Sequence, residues 1–140
     1  MRYALGRVID HLDLRTADFD RSRRFYRAIF EALDHGDRIE EGPDHLNVDE
    51  LYVSRLREGG AATTGLHLCF QALDRATVQA FHAAGLAAGG RDNGPPGERD
   101  YHPGYYAAFL LDPDGNNVEA KVDLRVVERS AAEITVETTD

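Results

Sequence analysis

The segment Asp112-Pro113-Asp114-Gly115-Asn116-Asn117-Val118-Glu119-Ala120 carries the strongest turn signal of the chain beside an alternating strand. An apolar run, Ala107 to Leu111, enters a tight turn in which Pro113 takes an early position and Gly115 and the asparagines tolerate positive φ, and the chain returns as Val118 to Val122. This predicts a β-hairpin. Alternation along the returning strand puts Val118, Ala120 and Val122 on one face and Asn117, Glu119 and Lys121 on the other. A lone glutamate there ordinarily marks the wet side of a half-exposed strand, since carboxylates are rarely buried without a partner. What Glu119 does therefore depends on which other residues share its face.

Just upstream, Asp92 to Gly104 contains Asn93-Gly94-Pro95-Pro96-Gly97 and His102-Pro103-Gly104, a composition that predicts a loop. Loops of this length in compact domains tend to be functional. His102, with Tyr105 and Tyr106 beside it, supplies candidate acid-base groups, and His102 and Tyr106 join Glu119 as candidate catalytic residues. Further back, Thr64 to Gln71 alternates Leu66, Leu68 and Phe70 against Gly65, His67, Cys69 and Gln71, a strand with His67 opposite its apolar face. Asp74 then caps a helix in which Val78, Phe81, Ala84 and Ala88 share a stripe, closing at Gly89-Gly90. Gly85 inside that helix costs about 1 kcal/mol relative to Ala.

The beginning of the chain repeats the plan. Arg7 to Arg15 reads as a strand with His11 on its more polar face. Thr16-Ala17-Asp18 supplies caps, and Phe19, Ser22, Phe25, Tyr26, Ile29, Phe30 and Leu33 recur at helical spacing. That helix is expected to end near Asp34-His35-Gly36, with the glycine as its left-handed cap. Asp37 to Arg57 is charged and short-patterned, broken at Gly42-Pro43, and suits two or three strands, Leu51 to Leu56 being the clearest. At an offset of 56 residues His11 falls on His67, Leu12 on Leu68, Asp18 on Asp74, Phe25 on Phe81, Ala28 on Ala84 and Ala32 on Ala88. The coincidences fall on strand face, cap and helix core, which predicts an internal duplication. His11, His67 and Glu119 would then line one shared hollow.

Composition excludes other classes. The 140 residues are 42% hydrophobic, enough for one compact core. No apolar run approaches the roughly 20 residues of a membrane helix, and the first residues lack the apolar segment of a signal peptide, so a cytoplasmic protein without membrane partners is expected. A single cysteine, Cys69, rules out an intrachain disulfide or a cysteine-rich zinc site. A net charge of −9 with no dense basic stripe argues against nucleic acid and allows a cationic or small neutral ligand.

These motifs together resemble the vicinal oxygen chelate superfamily, which includes glyoxalase I, bleomycin resistance proteins, fosfomycin-inactivating thiol transferases and extradiol dioxygenases. The resemblance rests on His11 fourteen residues before Phe25-Tyr26, on Gly65-Leu66-His67-Leu68, and on Asp112 to Glu119, and it spans Val8 to Val122. It implies an α+β fold: two βαβββ modules, about 7–60 and 64–123, forming a curved mixed sheet around a central cavity with helices outside, and a tail from 124 to 140. It implies a divalent metal (Zn, Ni, Fe, Mn or Co) on His11, His67 and Glu119, a small-molecule substrate held through vicinal oxygens, glyoxalase-like lyase or isomerase chemistry, and a homodimer. Two imidazoles and a carboxylate suit such ions and leave coordination positions open.

The alternatives that the resemblance leaves are a metal-free drug-binding protein of the bleomycin resistance type, and a dioxygenase or thiol transferase. One departure bears on the choice. In glyoxalase I a glutamate on the last strand of the first module is both ligand and base, and here Glu50, Leu51 and Tyr52 are the candidates for that position. The remaining histidines read as surface or capping residues, His35 at a helix end, His82 on a helix and His45 in a polar connection. Cys69 reads as a small hydrophobe in a cavity wall. Ile134 and Val136 suggest an added strand or arm in the polar tail.

Overall fold

The computed structural model describes residues 8–130 and Glu137. The proposed arm at Ile134 and Val136 lies outside the described residues. Eight strands and two helices follow in the order β1 (Leu12–Thr16), α1 (Phe19–Ala32), β2 (Glu40–Glu41), β3 (His45–Val48), β4 (Leu51–Arg55), β5 (His67–Gln71), α2 (Arg75–Ala87), β6 (Arg91–Glu98), β7 (Tyr105–Leu111) and β8 (Asn117–Asp123). A short 3-10 turn at Gly36–Arg38 joins α1 to β2. The duplication is present in three dimensions: one sheet has the order β1-β4-β3-β2 and the other β5-β8-β7-β6, with β1 parallel to β4 and β5 parallel to β8. The result is two helices on two separate four-stranded mixed sheets, neither closed into a barrel.

Each helix begins at the aspartate its sequence supplies. The Asp18 carboxylate accepts from the Arg21 N–H at 3.2 Å, and Asp74 accepts from the Thr77 N–H at 2.7 Å. Their apolar stripes bury Phe25, Tyr26, Ile29, Phe30, Val78 and Phe81 against Leu14, Leu46 and Val53 of the first sheet and Ala108, Leu110, Val118 and Ala120 of the second. The two helices also pack on each other, and Gly85 lets α2 lie close to both β7 and α1. A Cβ at Gly85 would lie 2.2 Å from Leu110 Cδ1 of β7 and 3.3 Å from Phe25 Cε2 of α1, so glycine within the helix permits its close approach to the sheet and to α1.

Several expectations are revised. β1 begins at Leu12, which leaves His11 just before the strand. α1 ends at Ala32 with Leu33 as its C-cap, and the residue with positive φ (66°) is Asp34, not Gly36. The stretch expected as a loop from Asp92 is largely strand β6, paired with β7 through register shifts at Gly94 and Gly97. Pro95 and Pro96 fit because β6 is the edge strand and the bulges release their positions from the ladder. His82 is not a surface residue: it is buried and bonded through Nε2 to Asp92 Oδ1 at 2.9 Å. Among the described residues no helix is long and apolar enough to cross a membrane.

The turn between β7 and β8 fastens the two halves. Asp112 is 1% exposed. Its Oδ1 accepts from the Asp114 and Asn116 N–H groups, and its Oδ2 from Asn116 Nδ2 at 3.0 Å and the Tyr26 hydroxyl at 2.6 Å. Burial, then the Asp112 charge, raises the Tyr26 phenol well above its ordinary range, so it remains a donor. Tyr26→Phe removes one of those donors from a buried carboxylate. It is expected to lower unfolding free energy by about 1–3 kcal/mol in urea titration, with no change in the native circular dichroism.

Candidate functional site

β5 and β8 run in register, with His67 opposite Asn117 and Cys69 opposite Glu119, and β7 sets Phe109 opposite Glu119. Strand alternation therefore gathers His67, Cys69, Glu119, Lys121, Tyr105 and Phe109 on the face turned away from α2. Glu119 is 2% exposed, yet neither of its oxygens is idle. Oε1 lies 3.4 Å from His67 Nε2, and Oε2 accepts a short hydrogen bond from the Tyr105 hydroxyl. Burial first, and Glu119 second, push the Tyr105 phenol upward, which keeps its proton on the donor side of that bond.

The orientation of His67 follows from its other nitrogen. Nδ1 lies 3.2 Å from the Asn117 carbonyl, which can only accept, so Nδ1 carries a hydrogen and Nε2 is turned toward Glu119. The ring stacks on Phe109 at 6.2 Å between centroids. His11 is prepared in the same manner, with Nδ1 bonded to Asp10 Oδ1 at 2.7 Å. Partners of this kind, which fix the tautomer and free Nε2, are those that metal-binding histidines use. Within one chain, however, His11 stands just ahead of β1 of the other sheet, beside Tyr52, ring centroids 6.1 Å apart. Among the described residues no three His, Cys, Asp or Glu side chains come close enough to hold one ion. The structure brings His67 and Glu119 together and leaves His11 outside the pair.

The strand registers identify the counterpart of Glu119. Glu119 pairs with Cys69, Tyr52 pairs with Asp13, and Asp13 and Cys69 are related by the 56-residue offset. Tyr52 thus occupies the matching place in the first module, and it lies beside His11 and His45. Leu51, paired with Leu12, matches Val118 by the same register, and Glu50 lies in the turn ahead of β4.

The candidate groups around β7 divide. Tyr106 lies on the opposite face, where its hydroxyl accepts from Gln79 Nε2 at 3.0 Å and Arg75 covers its ring. The tyrosine beside Glu119 is Tyr105, and period-two alternation from Glu119 across the hairpin could have singled it out. His102 has both nitrogens engaged: Nδ1 donates to the Pro103 carbonyl at 2.8 Å, and Nε2 accepts from Arg125 Nη2 at 3.0 Å. Arg125 also grips Asp123, holding that carboxyl well below the usual range. As placed here, His102 offers no free lone pair.

The sequence profile of the Glyoxalase/Bleomycin resistance protein/Dioxygenase superfamily matches residues 8–120, and the chain belongs to this superfamily. A glyoxalase/bleomycin resistance protein from Albidiferax ferrireducens T118 is similar at 32% identity and TM-score 0.71, with 81% of this chain and 98% of that one covered. The fold is also that of a lactoylglutathione lyase from Agrobacterium tumefaciens (22% identity, TM-score 0.58, 84% and 95% covered) and of TioX from Micromonospora sp. ML1 (18%, 0.59, 84% and 99%). No protein of curated function matches.

Cys69 reports on this face. It is open to solvent on one side, but burial of the sulfur, with the Glu119 charge second, pushes its thiol up to about 12. The metal-free protein at pH 8 is expected to react with iodoacetamide at least about a hundredfold more slowly than a free thiol of pKa near 8.5. Glu119→Gln should relieve only part of this, because burial is the larger cause. Alkylation at the rate of free cysteine would refute the placement.

Proposed function

We propose that the protein is a divalent-metal-dependent enzyme acting on a small molecule with neighbouring oxygen atoms, and that its metal site is completed between two copies of the chain. The observation that carries this reading is the pair His67–Glu119, 3.4 Å apart and each oriented through its second polar atom. His11, likewise oriented by Asp10, is the third donor and comes from the second subunit, since one chain keeps it at the start of a strand of the other sheet. The donor set of two imidazoles and one carboxylate fits Zn, Ni, Fe, Mn or Co. An ion held there supplies a Lewis acid for two adjacent substrate oxygens.

The remaining work falls to the chain itself. The Asn117 carbonyl and the Asp10 carboxylate fix the two imidazole tautomers, Phe109 backs the His67 ring, and Tyr105 holds one oxygen of Glu119 so that Oε1 is the one left for the ion or for a substrate proton. Lyase or isomerase chemistry of the glyoxalase kind needs a base within hydrogen-bonding reach of the reacting carbon. Tyr52 at the place matching Glu119 gives the first module no carboxylate there, so Glu119 carries that role alone. This separates the proposed reaction from glyoxalase I itself.

Metal content of purified protein and calorimetric titration with Zn2+ test the proposal. His11→Ala, His67→Ala and Glu119→Gln are each expected to weaken binding by more than about 100-fold, beyond the range for outer-shell partners. Mixing His11→Ala with His67→Ala under subunit exchange should restore about a quarter of the wild-type sites, because half of the randomly paired two-fold dimers then hold one intact site. A protein that binds no metal supports the drug-binding alternative. Metal binding by a monomer, unaffected by His11→Ala, would remove the shared site.

A further inference from the structure

On the Glu119 face, β6 carries a feature that the metal-site reading does not use. Arg99 lies with its guanidinium over the Phe109 ring, 5.4 Å from the centroid, and the same ring stacks on His67. The bulged glycines of β6 make room for it: a Cβ at Gly94 would come within 3.2 Å of Arg99 Nη2, and one at Gly97 within 3.1 Å of Nη1. Arg99 Nη2 donates to the Pro95 carbonyl at 2.7 Å and Nη1 to the Glu98 carbonyl at 3.3 Å. Two of the five N–H donors of the guanidinium are thereby used, and they set its plane. No carboxylate pairs with it among the described residues.

Arg99 and Tyr105 line one hollow of about 330 Å³, together with Glu98, Asp100 and His102. Lys121 adds a second positive charge on this face, its Nζ 4.5 Å from the Tyr105 ring centroid. Glu98 is already taken by Arg75 at 3.0 Å. In a chain of net charge −9, a guanidinium held over an aromatic ring with donors to spare is built to receive an anion. The Asp100 carboxylate in the wall disfavours a dianion, so a singly charged planar carboxylate fits best, bound through the fork of the guanidinium.

We propose that Arg99 is a specificity-determining residue, and that the substrate class is small carboxylates that also carry the two vicinal oxygens. The proposal rests on the reading of the His67–Glu119 face as the substrate site.

Calorimetric titration of metal-free and Zn2+-loaded protein with catechol, protocatechuate and dihydroxyphenylacetate tests it, since the three share vicinal oxygens and only the last two carry a carboxylate, at different reach. At least one carboxylated probe is expected to bind roughly tenfold or more tighter than catechol. Arg99→Gln should abolish that preference, and Arg99→Lys should retain part of it, because a point charge lacks the planar fork. Both variants should keep the wild-type thermal midpoint, Arg99 being partly exposed. Equal affinity for catechol and both carboxylates, an unchanged preference in Arg99→Gln, or no binding of any probe at low millimolar concentration overturns the assignment. A protein that takes up no Zn2+ but keeps the Arg99-dependent preference would sink the metal reading alone. A Zn2+-binding protein without that preference would sink this inference alone.

Discussion

Asp112 accepts hydrogen bonds from Asp114, Asn116 and the Tyr26 hydroxyl while almost fully buried, and Tyr26 lies on the helix of the other module. An ionised group at such depth is tolerable only with its acceptors satisfied. The Asp-Pro-Asp-Gly-Asn turn is therefore most stable where α1 adds the phenol to the donors that the turn itself supplies. The second aspartate of the turn extends the same clasp, since Asp114 accepts from the Ala17 N–H at 3.2 Å and from the Thr16 hydroxyl. Asn116 reaches the inter-module segment, accepting from the Leu66 N–H and donating to the Thr63 carbonyl. One turn thus fixes the start of α1, the linker and the register of β8.

That register is what sets the site. Glu119 begins three residues after Asn116, and a slip of one residue would turn it onto the helix face and bring Val118 out. With the register held, β5 presents His67 beside it and β7 presents Tyr105 and Phe109. The polar face is consequently a rigid sheet surface whose side chains are oriented through hydrogen bonds to backbone or to one another. This is the kind of support that fixed donor geometry requires.

The duplication has not kept the two modules alike. The second has longer outer strands and carries the buried carboxylate, the stacked aromatic ring and the cradled arginine. The first has a two-residue edge strand, β2, and Tyr52 where its twin has Glu119. The open face of the first sheet is tied up internally, with the Ser54 hydroxyl donating to Asp13 and Arg15 paired with the same carboxylate. Chemistry on the second sheet and a single contributed histidine from the first is the division of labour that these differences favour.

Local order was legible in the amino-acid sequence. Hydrophobic period, aspartate caps and the repeat at 56 residues placed both helices and most strands, because these signals act within a few residues of the groups they order. It also put His67 and Glu119 on a common face, since strand alternation carries that information directly. Three things needed tertiary structure. Pro95-Pro96 in β6 reads as a loop until one knows that the strand is at the sheet edge. Tyr105, rather than Tyr106, meets Glu119 because the β7–β8 register decides which face of the hairpin each side chain joins. His11 remains apart from His67 and Glu119 because the helices, not the sheets, pair the two modules within a chain, and no sequence period encodes how two sheets are turned relative to each other.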